Sequence, residues 1–171
     1  GLVAIRLLAG TLLLGIAVWV RGGRPLPVRR DVPAVIFLGL VLCAHLLIQA
    51  HGLQHTSAIN TGWLVGFMPV TIALGAQLLG KQRLARLGWL GVAVGTGGVL
   101  IVTLKTPPNF ARARFGDLLQ IVSCLTWTVY TLAGAGPVAR NGALRVTTLS
   151  MGVAALVATI ATVGTGLRSG A

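Results

Sequence analysis

The sequence predicts an all-α fold, a polytopic bundle of transmembrane helices, on three observations. Of its 171 residues, 55% are hydrophobic and 9% charged, against about 25% charged in an ordinary soluble domain. Six apolar stretches each approach the length a helix needs to cross a hydrocarbon core about 30 Å thick, about 20 residues at 1.5 Å rise. None of the six shows the period-2 alternation of a barrel strand, and the segments between them are too short to form a soluble domain.

The spans follow from reading charge to charge. The first, Leu2–Val20, is apolar except for Arg6, which either snorkels to the interface or stands at the mouth of a cavity. The second, Val32–Ala50, carries His45 and Gln49, four apart and so on one helix face. The third, Ser57–Leu79, holds Asn60, Thr61, Trp63 and Gln77, with Asn60 and Trp63 sharing a face. Pro69 lies at its middle, where it removes a backbone hydrogen bond and clashes with the Val65 carbonyl. Whether it serves as a structural kink or a functional one, the loosened backbone is expected to face the interior.

The fourth span, Leu87–Leu104, places Gly88, Gly91, Gly95 and Gly98 along one face, and Gly62 and Gly66 repeat the spacing in the third. Helices in lipid associate by close backbone approach, so these glycines are expected to pack helices. The fifth span, Leu118–Val138, carries Ser123, Thr126, Trp127 and Tyr130, and the sixth runs from Val146 to Leu167. Polar groups are costly in lipid and turn inward, so His45, Gln49, Asn60, Trp63, Trp127 and Tyr130 are the candidate lining of a substrate pathway. Each of them also suits an interhelical hydrogen bond or an interfacial aromatic anchor.

Fourteen Lys and Arg stand against two acids, a formal net charge of +12. Such a balance can signal a nucleic-acid partner, but a mean hydropathy of +0.89 leaves too little polar surface for one. The basic residues instead alternate from loop to loop. The first, third and fifth loops hold Arg21, Arg24, Arg29 and Arg30, then Lys81, Arg83 and Arg86, then Arg140 and Arg145. The second loop holds none, the fourth has Lys105, Arg112 and Arg114, and the tail has Arg168. Short cytoplasmic loops collect Lys and Arg, so loops 21–31, 80–86 and 139–145 are expected in the cytoplasm of a plasma-membrane protein. The first span then runs inward. With Gly rather than Met at residue 1, the chain is expected to be a piece of a longer protein lacking its first helix.

Enzymatic chemistry is not expected. Asp31 and Asp117 both sit at span boundaries, so paired-carboxylate catalysis and carboxylate metal clusters are out of reach. His51 and His55 have metal-like spacing, but the loop setting and the lack of a nearby carboxylate argue against a metal, and no cofactor is implied. Cys43 and Cys124 fall far apart in mid-span, as small hydrophobes. If protons are coupled, His45 is the visible candidate.

With the spans placed, several motifs stand in a recognisable order: Thr56-Ser57-Ala58-Ile59-Asn60, Met68-Pro69-Val70, Leu79-Gly80-Lys81, and Gly91 through Gly98-Val99-Leu100. Arg6 opens the first span, and Gly116-Asp117-Leu118-Leu119 precedes Trp127 and Tyr130. This order resembles the EamA domain of the drug/metabolite transporter superfamily. Lys81 departs from it, since members usually carry Glu there. The resemblance implies helices two to seven of a ten-helix fold of two inverted repeats, with residues 1–105 a partial first repeat and 116–171 the start of the second.

It implies an exporter of small metabolites or drugs working by alternating access, with the lipid bilayer, a small-molecule substrate, the remaining helices of the full-length chain and a second copy in a homodimer as partners. Two rivals stand beside it. One is a membrane scaffold or assembly protein that carries nothing; the other is a small multidrug resistance-type exporter, which would bring four helices and an intramembrane Glu.

Overall fold

The computed structural model describes residues 2–22, 29–79, 85–103 and 114–169. Among these, seven α-helices occur and no strand: α1 (Leu2–Val20), α2 (Val32–Gln54, entered through a 3-10 turn at Arg29–Asp31), α3 (Ala58–Val65), α4 (Met68–Leu78), α5 (Arg86–Thr103), α6 (Arg114–Asn141) and α7 (Ala143–Ser169). Five helical segments are long and apolar enough to cross a membrane: Leu2–Val20, Arg29–Gln54, Ala58–Leu78, Phe115–Asn141 and Ala143–Gly164. The remaining expected span is helical as α5. Large apolar side chains cover the outside, with Leu12, Leu13, Trp19, Leu87, Leu90, Leu118 and Leu156 all exposed. A soluble monomer does not present so much contiguous apolar surface, so the fold is a polytopic bundle of membrane helices.

Gly80, Lys81, Arg83, Lys105, Arg112 and Arg24 lie outside the described residues, and with them parts of the loop-charge pattern and of the Gly-Lys motif.

The helices pack in two units, residues 1–46 with 133–171 and residues 47–132. The division cuts through α2 and α6. In the first unit α1 packs against α7. Small residues bring the backbones together: Ala154, Ala155 and Ala158 of α7 are buried, Gly10 lies under the Met151 side chain, and Gly152 lies against Thr11. The start of α2 approaches α7 at Gly39, where a Cβ would come within 2.8 Å of the Ser150 carbonyl. Leu38 and Val146, each 1% exposed, are buried in this unit. Gly142, at φ +84°, separates α6 from α7, a left-handed turn that a side chain would strain.

In the second unit the expected third span is broken in two. Ser57 caps α3, its hydroxyl accepting from the Asn60 N–H at 3.0 Å. Gly66 and Phe67 separate α3 from α4, and Pro69 sits in the first turn of α4, where its missing N–H costs nothing. The break is therefore where the proline placed it. The Pro69 side chain is exposed among the described residues. The first turn of α4 leaves the ring free of the ladder, so no inward pocket is needed to accommodate it.

At three of the four α5 glycines the face is open among the described residues. A Cβ added at Gly91, Gly95 or Gly98 would meet nothing within 4 Å, so among the described residues this face packs no helix. Glycine permits close approach without causing it. The tight crossings fall instead at Gly39, Gly52, Gly75 and Gly116, where facing atoms leave no room for a side chain.

Candidate functional site

The second unit carries a seam of polar side chains along one face of α6. Asp117, Gln120, Cys124 and Thr128 recur at spacings of three and four, the helical repeat that stacks them on one side. Each reaches a different neighbour. Asp117 Oδ1 accepts from the Thr56 hydroxyl at 2.6 Å and from Asn60 Nδ2 at 3.3 Å. Gln120, fully buried, donates from Nε2 to the Gln49 carbonyl at 3.0 Å, and Ser123 donates to the Gln120 carbonyl at 2.8 Å. Cys124 Sγ approaches the Leu64 carbonyl at 3.5 Å, and Thr128 shares a 2.9 Å hydrogen bond with Thr71 of α4. The seam thus ties α6 to the end of α2, to α3 and to α4.

Two glycines let these helices meet. At Gly52 a Cβ would fall 2.8 Å from Gln120 Nε2, and at Gly116 it would strike the backbone of His55 and lie 2.7 Å from the Thr56 N–H nitrogen. Beside this contact the rings of His51, His55 and Phe115 meet edge to face, the two histidines at 4.8 Å between centroids.

Five of the six residues expected to line a pathway belong to this unit, and the structure treats them differently. Asn60 is 1% exposed and joined to Asp117. Gln49 is half-buried, and its backbone rather than its side chain receives Gln120. Trp63 is half-buried with its indole N–H buried and unpartnered, as is the Thr61 hydroxyl. Trp127 and Tyr130 stack on one another, ring centroids 5.3 Å apart at 24°. His45 lies in the other unit, buried at 4% exposed. Arg6 is exposed on α1.

Reading the sequence did not single out Gln120, and it named Thr56 and Asp117 only within motifs, with Asp117 also noted as an acid at a span boundary. The one signal beside it was the preceding Gly116, a residue that an exposed helix start does not require.

The first unit has its own polar centre. Asp31 is 2% exposed and receives Arg140 Nη2 at 2.6 Å, Arg140 Nε at 3.1 Å to both oxygens, and Asn141 Nδ2 at 2.7 Å. The guanidinium fork and the amide together satisfy both carboxylate oxygens. The centre joins the start of α2 to the end of α6.

Among the described residues no group of three or more His, Cys, Asp or Glu is placed to hold a metal.

A multi-pass helical membrane protein with broken and polar inner helices is the class these features define. Comparison with known proteins narrows it. The profile of the EamA-like transporter family matches residues 1–104, and the chain belongs to that family. It is 30% identical over 132 residues to an uncharacterized transporter of Archaeoglobus fulgidus, covering 75% of this chain and 45% of that protein. It is 26% identical over 157 residues to the uncharacterized transporter YyaM of Bacillus subtilis, covering 87% of this chain and 50% of that one. It is also 32% identical over 96 residues to the inner membrane protein YtfF of Escherichia coli, covering 50% and 30% respectively. The chain spans about half the length of the curated relatives it matches. No solved structure matches it.

Proposed function

We propose that the full-length protein exports small metabolites or drugs across the plasma membrane by alternating access between two inverted repeats, residues 1–105 and 116–171 contributing to the first and second. The observation that carries this reading is the polar, aromatic-bearing set on α3 and α6 in a chain of the EamA-like transporter family. Asn60, Trp63, Trp127 and Tyr130 line the pathway with Gln49, and His45 stands one turn before Gln49 on α2. Buried donors without a partner, the Trp63 indole and the Thr61 hydroxyl, support it, because a dry structural bundle satisfies such groups. The break at Pro69 shapes the pathway through the backbone it interrupts.

Loops 21–31, 80–86 and 139–145 face the cytoplasm on this reading, supported by the arginine asymmetry and by the printed description of the Escherichia coli relative as an inner membrane protein. The remaining helices of the full-length chain complete the pathway, and the protein works without a cofactor or catalytic step.

The test is flux. The full-length protein in proteoliposomes is expected to move labelled amino acids or cationic dyes, and cysteines placed at Asn60 and Trp63 are expected to react with water-soluble reagents. Absence of flux for any small solute by folded protein would overturn the reading, and unreactive cysteines would favour a scaffold that carries nothing.

A further inference from the structure

Within the first unit, the end at which α1 stops and α6 turns into α7 holds a cavity of about 340 Å³. Val18 and Arg21 line it from α1, Asn141 and Gly142 from the end of α6, and Arg145 from the first turn of α7. Gly142 keeps the turn open, since a Cβ there would meet nothing within 4 Å. The volume lies at the small end of the range for pockets that take small ligands, about 300–1,000 Å³.

Charge decides what such a cavity holds. Neither Arg21 nor Arg145 has an acid to pair with among the described residues. Of the two acids in the chain, Asp31 is taken by Arg140 and Asn141, and Asp117 belongs to the other unit. The Asn141 amide is committed to Asp31 and to the Pro137 carbonyl, which leaves the two guanidinium groups as the available donors. The Asp31–Arg140 pair also brings the start of α2 to this end, and with it Arg29 and Arg30, both exposed. Among the described residues, five arginines therefore stand here with one acid, which is already paired. A guanidinium fork matches the oxygens of a phosphate in a way that a lysine does not.

Position decides what carries the phosphate. The candidate spans Leu2–Val20, Phe115–Asn141 and Ala143–Gly164 all end or begin at this cavity, which puts it at the level of lipid headgroups. Trp19 and Val20, exposed beside Arg21, offer apolar surface to an acyl chain, and tryptophan favours that level of a bilayer. We infer that the cavity is a binding site for the phosphate of an anionic phospholipid, held by Arg21 and Arg145 between the end of α1 and the start of α7. These are the two helices that pack together in this unit, so a headgroup bridging their ends fastens the pair. On the topology proposed above, the lipid belongs to the cytoplasmic leaflet, whose surface is negative. The site does not otherwise rest on the transport reading.

The full-length protein in neutral detergent tests the assignment. Native mass spectrometry is expected to show retained dioleoyl phosphatidylglycerol and far less of the zwitterionic dioleoyl phosphatidylcholine. Arg21→Gln and Arg145→Gln are each expected to weaken retention about fivefold, the effect of one basic residue at an anionic surface. Arg86→Gln, at an exposed cation of the other unit, is expected to leave retention unchanged. Arg145→Lys keeps the charge and loses the fork, so its retention is expected to fall between those of the native protein and Arg145→Gln. Phosphatidylglycerol is also expected to raise the thermal midpoint of the native protein by more than that of Arg21→Gln with Arg145→Gln. Millimolar inorganic phosphate is expected not to displace the lipid. Equal retention of the two lipids, native retention in the Arg21 and Arg145 variants, or an equal loss in Arg86→Gln would overturn the proposal. Displacement by inorganic phosphate would overturn the lipid assignment in favour of a soluble anion. None of these measurements involves flux, so a failure here and a failure of the transport reading are told apart.

Discussion

The contact of α1 with α7 and the contact of α6 with α3 and α4 join helices by opposite chemistry. In the first unit small residues let apolar side chains interlock: Gly10 under Met151, Gly152 against Thr11, Gly39 against Ser150 and Val153, with Ala154, Ala155 and Ala158 sealed between them. Its one buried acid is paired with Arg140 and accepts a hydrogen bond from Asn141. In the second unit the joining is done by hydrogen bonds, from Thr56 and Asn60 on the Asp117 carboxylate to the neutral pair of Thr71 and Thr128. Interlocked apolar surface has one good arrangement and resists sliding. Hydrogen bonds between neutral side chains in a membrane are worth about 0.6 kcal/mol each on average, so they are readily exchanged. The difference teaches that apolar interlock and side-chain hydrogen bonding join different helices within the two units.

The comparison can be broken most forcefully at its tightest crossing. Gly116→Leu places a side chain into the backbone of His55 and is expected to destabilise the protein by about 3 kcal/mol or more, the upper part of the range for overpacking. Unfolding in detergent by increasing denaturant measures it. Gly91→Ala, where nothing lies within 4 Å, is the matched control and is expected to leave stability unchanged or slightly raised.

Leu38→Ala probes the apolar unit. A cost of about 2 kcal/mol is expected, mostly from the cavity, because the alternative environment is lipid rather than water. The same unfolding assay reads it, and an unchanged midpoint would show that the packing there is loose.

The two acids give a sharper contrast. Asp31→Asn strands the Arg140 guanidinium and is expected to lower the thermal midpoint clearly, with partial recovery in the charge swap Asp31→Arg with Arg140→Asp. Asp117→Asn strands no cation and keeps an oxygen acceptor, so its midpoint is expected to fall less. Equal losses would erase the distinction between an ion-paired carboxylate and one held by a hydroxyl and an amide.

The smallest effect belongs to the seam itself. Thr71→Val is expected to cost about 0.6 kcal/mol and, in a double-mutant cycle with Thr128→Val, to account for most of the pairwise coupling.

The membrane class, the positions of the spans and the break near Pro69 were legible in the sequence because each depends on local chemistry. Apolar length decides whether a segment crosses, and a proline interrupts a helix wherever it stands. The likeness to the family was legible too, through the order of Asn60, Pro69 and the glycines. The candidate pathway residues were legible only as residue types, since Asn60 and Trp63 read alike and yet one is bonded to Asp117 while the other keeps an unpartnered indole N–H.

What the sequence by itself determined was therefore one-dimensional: which segments prefer lipid, where a helix must break, and how positive charge is distributed along the loops. The tertiary structure decided which glycines are approached and which acid is neutralised. Gly91 and Gly116 are the same residue, but only the second has a backbone against it, and Asp31 and Asp117 differ only in what comes to meet them. Those facts are properties of pairs of residues far apart in the chain, 109 positions for Asp31 with Arg140 and 61 for Thr56 with Asp117. No local pattern encodes such a meeting, because the free energy of a charge or a close contact depends on the partner that folding brings to it.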